Sequence, residues 1–392
     1  VGDTGNDIFN INNNWSGTLA GTDGDDTFTF ADGVTVNAID GGSGIETSGD
    51  LIDISAWTGA QTVDLQGSTI AGVITTTFSN VERFTGDGDG GAGLDILLGD
   101  NTPNDFNITG ADDGDIDGVI TFTDFANLTA GTGGDRFDFN GGSISGVITG
   151  NTGTDILDYG DVVLAVTIDL ANSSATNVNG GAASGFSSIE SFIGDSTNDT
   201  LIGANGNNTW TITGVDDGDI GGAITFTDIN DLQGGTADDA FVFAAAGSLS
   251  GSINGAADTT NDSIDISAVA GVNTVDLQNS TISGGILGGT FSNIEAFTGD
   301  GGGGAGLDIL LGDNADNTFN LTGSDTGNID GTIIFTDFAN LSGGVGNDIL
   351  DFGTVGDLTG NATVETLDYG SWTTSAVTFD IGATTSSGIG GT

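Results

Sequence analysis

The side chains available for chemistry are almost all carboxylates: 51 Asp and 5 Glu stand against Arg83 and Arg136, with no Lys, His or Cys. Without these there is no ordinary general base, no thiol nucleophile and no partner to activate a Ser. Paired carboxylates can hydrolyse glycosides, yet here every acidic cluster recurs along the chain, whereas an active site is normally unique. Two arginines are also too few to grip a polyuronate. The composition therefore predicts a protein that is not an enzyme. What carboxylates and turn carbonyls do supply is hard oxygen ligands, the donors that Ca2+ takes.

Those carboxylates follow a pattern. Gly, one to three small residues, Asp and then alternating apolar positions recur around Asp7, Asp26, Asp95, Asp135, Asp199, Asp239, Asp308 and Asp348. A second acidic turn runs Asp112-Asp113-Gly114-Asp115 and returns as Asp216-Asp217-Gly218-Asp219, then in altered form at Asp325. Asp113, Asp115, Asp217 and Asp219 thus join the eight strand-leading aspartates as candidate Ca2+ ligands, with Gly letting carbonyls converge beside them. The same Asp can instead form a turn through a bond from its side chain to the backbone. A surface made acidic for solubility would use Glu freely, so the excess of Asp points to turns or ligands.

The net charge is −54. Nucleic acid and anionic membrane are excluded as partners by repulsion. No run of about 18 apolar residues is present, so membrane insertion is not expected. An acidic tail is excluded too, because 36% of residues are hydrophobic and 22 Phe require a core.

Repeats organise the rest. Phe78-Ser79-Asn80-Val81-Glu82 returns at Phe186 and Phe291, and Phe122-Thr123-Asp124-Phe125 returns at Phe226 and Phe335. The period is about 106 residues, dividing the chain near 1–130, 131–233, 234–342 and a partial 343–392. Within a period, short alternating segments such as Ala240-Phe241-Val242-Phe243 and Thr274-Val275-Asp276-Leu277 lie between Gly, Asn and Asp clusters. That is the pattern of strands, and no helical stripe persists. The predicted fold is all-β: one continuous parallel β-solenoid of roughly 20-residue coils, with tandem β-sandwiches as the alternative. At about 4.8 Å per coil the chain would form a rod with a charge every ~1.7 Å, as dense as duplex DNA. Cations bridging the acids are the expected remedy.

At these residues the sequence resembles two related groups. The Gly-Asn-Asp phrases resemble the nonapeptide of RTX proteins, whose parallel β-rolls bind Ca2+. The long unit, with TFSNIEAFTG and FTDFANLSGG, resembles the β-strand-repeat regions of very large secreted bacterial adhesins and filamentous surface proteins. The resemblance implies an extracellular or cell-surface location, calcium-assisted folding and a structural or adhesive role. In this chain the phrases stand alone, 19 residues apart from Asp7 to Asp26, rather than in nine-residue tandems.

Two roles are open. One is a structural segment of an extracellular fibre. Its incomplete end repeats predict self-association head to tail, or continuation in a longer parent chain. The other is an adhesin arm that binds surface polysaccharide, with Trp15, Trp57, Trp210 and Trp372 as candidate sugar platforms. Trp210 aligns with Phe106 and Phe319, which predicts a core position for it.

Overall fold

The computed structural model describes residues 1–88, 94–195, 197–256, 261–301, 307–354 and 356–371. Trp372 lies outside them. The chain divides into two compact units, Val1–Asp195 and Ser196–Thr392.

In the first unit the alternating segments become short strands that stack in parallel, one per coil. Ile8–Ile11 pairs with Thr27–Phe30, then Leu51–Asp53, then Arg83–Thr85. Between successive members the chain crosses to a second set of strands. Thr62–Asp64, Ile96–Leu98, Asn127–Thr129, Ile148–Thr149 and Phe186–Ser187 stack there, again in parallel. The second unit repeats this with Ala240–Phe243, Ser263–Asp265 and Ala296–Thr298 in one stack. Thr274–Asp276, Ile309–Leu311 and Asn340–Ser342 form its counterpart. The fold is the expected all-β parallel solenoid.

The coils are not uniform. Arg136 pairs with Ile156, 20 residues on, whereas Arg83 pairs with Thr121, 38 residues on. The difference is an insertion that the period-two reading did not reveal. Asp105–Ile108, Gly114–Ile116 and Ile120–Thr123 form an antiparallel meander inside the parallel stack. Its third strand pairs with Arg83–Thr85 and its first with Arg136–Phe139. In the second unit the meander recurs twice, as Thr209–Ile212, Gly218–Ile220 and Ile224–Thr227, then as Thr318–Gly323, Thr326–Ile329 and Ile333–Thr336. The acidic turns are the bends of these meanders, where Asp112, Asp117, Asp216 and Asp325 take positive φ. Asp tolerates that conformation better than most residues.

Burial explains the alternation. Inward positions stack in register as Phe28, Ile52 and Phe84, and as Phe106, Phe137, Leu157 and Phe192. Phe106 and Phe137 lie ring on ring at 4.7 Å, and Trp210 stacks on Phe241 at 5.6 Å. Trp210 is fully buried, as its alignment predicted, while Trp15 is exposed. Each buried ring contributes about 1.5–3 kcal/mol by leaving water, with up to ~1.5 more from stacking. Replacing Phe137 with Ala is expected to cost about 3–5 kcal/mol, read as a lower urea midpoint. A loss under 1 kcal/mol would contradict this packing.

Candidate functional site

The first residue before each strand of the main stack is the chemically distinctive one. Asp7 N–H donates to Asp26 Oδ1 at 2.7 Å, Asp26 N–H to Asp50 Oδ1 at 2.6 Å, and Asp50 N–H to Glu82 Oε2 at 3.1 Å. Each side chain accepts the backbone proton of its counterpart one coil earlier. A second ladder in the same unit runs Asn104, Asp135, Asp155, Glu190, with bonds of 2.7, 2.8 and 3.1 Å. The second unit carries Asn208, Asp239, Asp262, Glu295 at 2.7, 2.7 and 3.1 Å. It also carries Asn317, Asp348, Glu365 at 2.8 and 2.8 Å.

The order within a ladder has a physical basis. Asp and Glu alike accept across one parallel strand spacing. The longer Glu stands last in each ladder. Glu82 and Glu295 sit where the next strand is the end of a meander, and their carbonyls accept from Thr121 and Ile334. Four of the five glutamates of the chain are therefore ladder ends.

Glycine makes room for the ladder. A methyl group on Gly41 would lie 1.8 Å from the Asn80 carbonyl oxygen and 2.1 Å from Asp50 Oδ2. One on Gly21 would lie 1.8 Å from Asp26 Oδ2 and 2.3 Å from the Gly41 carbonyl oxygen. Asp26, Asp50, Asp135 and Asp155 are buried, and burial pushes their carboxyl pKa values up; Asp50 and Asp155 are pushed up to about 6.

The twelve candidate ligands of the sequence fall into three places. Asp7, Asp26, Asp135, Asp239 and Asp348 are ladder members. Asp95, Asp199 and Asp308 lead Ile96–Leu98, Thr200–Ile202 and Ile309–Leu311, strands outside the main stack. There Asp95 Oδ1 accepts from Gln61 N–H at 2.7 Å and Asp308 Oδ1 from Asn273 N–H at 2.8 Å, while Asp199 donates its N–H to Asn230 Oδ1 at 3.0 Å. Asp113, Asp115, Asp217 and Asp219 brace the meanders. Asp113 and Asp217 accept from the N–H groups of Asp124 and Asp228, and Asp115 and Asp219 from those of Gly118 and Gly222. At the position of Asp115 the third meander has Asn328, which accepts from Gly331 in the same way. The turn bond is thus made by an amide there and by carboxylates in the other two meanders.

Sequence reasoning missed Asp50, Asp155, Asp262 and the four ladder glutamates. The signal was present, since the Phe-Ser-x-φ-Glu landmark ends each time on a ladder Glu. It also missed Asp112, Asp216 and Asp325, buried acceptors for Ser145, Ser250 and Thr359 across the next coil. Glu46 is laid over the first ladder, so that carboxylate oxygens of Glu46, Asp50 and Glu82 lie within 4.8 Å of one another. Burial and the facing Glu82 raise the Glu46 carboxyl pKa.

Among the described residues, ion pairs gather at Arg136. Arg136 reaches Asp158 at 2.8 Å, Asp138 at 3.1 Å and Asp105 at 3.4 Å, joining three neighbouring strands. No helix among the described residues is long and apolar enough to cross a membrane. The chain matches no protein-family model and no curated protein sequence.

Two outcomes test this geometry. Gly41→Ala is expected to cost about 3 kcal/mol or more, because a backbone oxygen cannot move aside; a neutral change would contradict the close approach. Arg136→Ala is expected to cost about 1–2 kcal/mol at low salt and less at high salt, since it leaves the buried Asp138 and Asp158 and the half-exposed Asp105 facing one another. A salt-independent effect in thermal melts would contradict the charge argument.

Proposed function

We propose that the protein is a structural segment of an extracellular or cell-surface fibre. The supporting observation is that its buried polar chemistry recurs coil after coil as a device for joining coils. Ladder acids receive backbone protons, glycines admit them, and their side chains are thereby committed to holding the winding in register. A protein whose polar groups serve its own stacking in each repeat is suited to bearing load over distance.

The remaining acids lie on strands as well as on loops and turns. Calcium from the surrounding medium neutralises them, held at carboxylates outside the ladders, Asp113 and Asp217 among them. Self-association end to end, or extension within a longer chain, turns such segments into a filament. The expected result is uniform filaments in negative-stain images at millimolar calcium. Chelation is expected to lower the melting midpoint by several degrees at low salt, and to do less at high salt. Isolated particles with a chelator-independent melt would contradict the proposal.

A second reading, an adhesin that binds polysaccharide, draws on one observation. A recess of about 510 Å3 with Phe78, Asn80, Asp100 and Asp117 at its wall has a counterpart of about 290 Å3 at Phe291, Asn293, Asp313 and Asp330. Apolar side chains beside amide and carboxylate acceptors in one lining suit a neutral sugar. Binding on a glycan array that Asp117→Ala weakens would favour this role over the purely structural one.

A further inference from the structure

The recesses of the first and third repeats are built from corresponding residues. Asp100, Asn104 and Asp117 of one stand where the other has Asp313, Asn317 and Asp330. The acids are fixed in the same way each time. Asp100 Oδ1 accepts from Thr102 N–H at 2.7 Å and from Asn104 Nδ2 at 3.3 Å, and Asp117 Oδ1 accepts from the N–H of Asp105, the residue after Asn104, at 2.9 Å. Asp313 Oδ1 takes Ala315 N–H at 2.8 Å and Asn317 Nδ2 at 3.0 Å, and Asp330 Oδ1 takes Thr318 N–H at 2.9 Å. The two carboxylates of each recess are thus tethered to adjacent residues. Among the described residues none donates to the Oδ2 of any of the four.

The fold does not need these acids. At the same sequence positions the second repeat has Ala204 and Gly221. Its meander of Thr209–Ile212, Gly218–Ile220 and Ile224–Thr227 forms without them. Both acids are present in the first and third repeats and both are missing from the second, the distribution of two groups that serve one ligand.

The hydrogen-bonding groups of the lining select that ligand. Its side-chain donors are mostly committed. Ser79 and Asn80 donate to Asp40 at 3.2 and 2.8 Å, and Asn104 donates to Asp100. In the third repeat Ser292 and Asn293 donate to Asn254 at 3.2 and 2.8 Å, and Asn317 donates to Asp313. Acceptors are left over. Besides the Oδ2 atoms of the acids, Asn104 and Asn317, only 6% and 4% exposed, each carry an Oδ1 without a hydrogen-bond partner. A ligand rich in donors complements this surplus, and paired carboxylates in a chain of net charge −54 select a cation. Half-buried Leu65 and Ile120, or Leu277 and Ile333, stand in the same linings. They offer a bare metal ion nothing, and Ca2+ requires more oxygens than the acid pair supplies. They do cover the apolar face of a ring.

We propose that each recess binds one amino-sugar unit of a polysaccharide, its protonated amine paired with Asp100 and Asp117, or with Asp313 and Asp330, and its ring against the apolar wall. This assignment rests on the polysaccharide-binding role and adds a free amine to the sugar.

The test is calorimetric titration of the full chain, with chelator present, using a glucosamine trisaccharide and its N-acetylated counterpart. The trisaccharide is expected to fill two sites per chain. Asp100→Ala with Asp117→Gly, which installs the residues of the second repeat, is expected to leave one site. Adding Asp313→Ala and Asp330→Gly is expected to leave none, each lost site weakening by about 10-fold or more. Asp117→Asn with Asp330→Asn, which keeps the Oδ1 acceptors, is expected to weaken both sites without loss of folding in urea melts. The N-acetylated form lacks the charge and is expected to bind at least ~10-fold more weakly. Spermidine, an amine without a ring, is expected to bind wild type and variants alike. Trisaccharide binding that ignores all the substitutions would overturn the proposal as mere attraction to an acidic surface. Spermidine binding that falls with them would overturn the sugar assignment in favour of the amine alone. Equal binding of the N-acetylated form would overturn the amine while leaving a neutral sugar as the ligand, and binding of neither form would overturn both.

Discussion

The bond from a backbone N–H to the carboxyl oxygen of the residue one coil further on is the interaction that the winding depends on. Strands of three or four residues offer few pairing bonds of their own, so register rests on the buried inward row and on the bond at the strand entrance. The side-chain bond fixes it. Asp135 N–H meets Asp155 Oδ1 only when Phe137 lies over Leu157, so one contact at the strand entrance aligns the core row behind it. Bonds to a carboxyl group are among the stronger ones a backbone amide can make. Burial between coils keeps them dry.

That device has consequences along the chain. Each ladder needs an acceptor on the residue that leads the strand, Asp within the ladder and Glu at its end. Each needs a neighbour without a side chain, hence Gly21, Gly41 and Gly150 opposite the acids. Each meander interrupts the stack, and after it a ladder restarts at Asn104, Asn208 or Asn317, whose backbone N–H groups donate to the next ladder acid. Meanders at regular intervals therefore explain the long period, and the coils between them explain the shorter one. The high acid content is in part a by-product of repeating the same buried acceptor many times.

Much of this was legible in the sequence and some was not. Alternation in Ala240–Phe243 and its relatives gave strands, and the Gly-Asn-Asp phrases marked the strand entrances correctly. What the phrases mean depended on a partner far away in sequence. Asp7 and Asp26 read alike, yet only the three-dimensional register shows that one donates to the other. The glutamates were counted as a scarcity rather than recognised as ladder ends, because nothing local distinguishes Glu82 from a surface acid. The meanders escaped notice since Gly114–Ile116 is too short to show a period, and antiparallel pairing leaves no mark in an alternating pattern. Trp210 was placed in the core because alignment with Phe106 and Phe319 carries burial information that its own neighbours do not.

Amide hydrogen exchange measured residue by residue tests the ladder most directly. The N–H groups of Asp26, Asn104, Asp135 and Asn317 precede their strands and would exchange quickly if the strand entrances were ordinary loops. Bound to a buried carboxyl, they are expected to exchange only with global unfolding, as slowly as the central strand amides of Phe137 and Phe241. Exchange of these four amides at the rate of the exposed loops would show that the coils are held in register by something else.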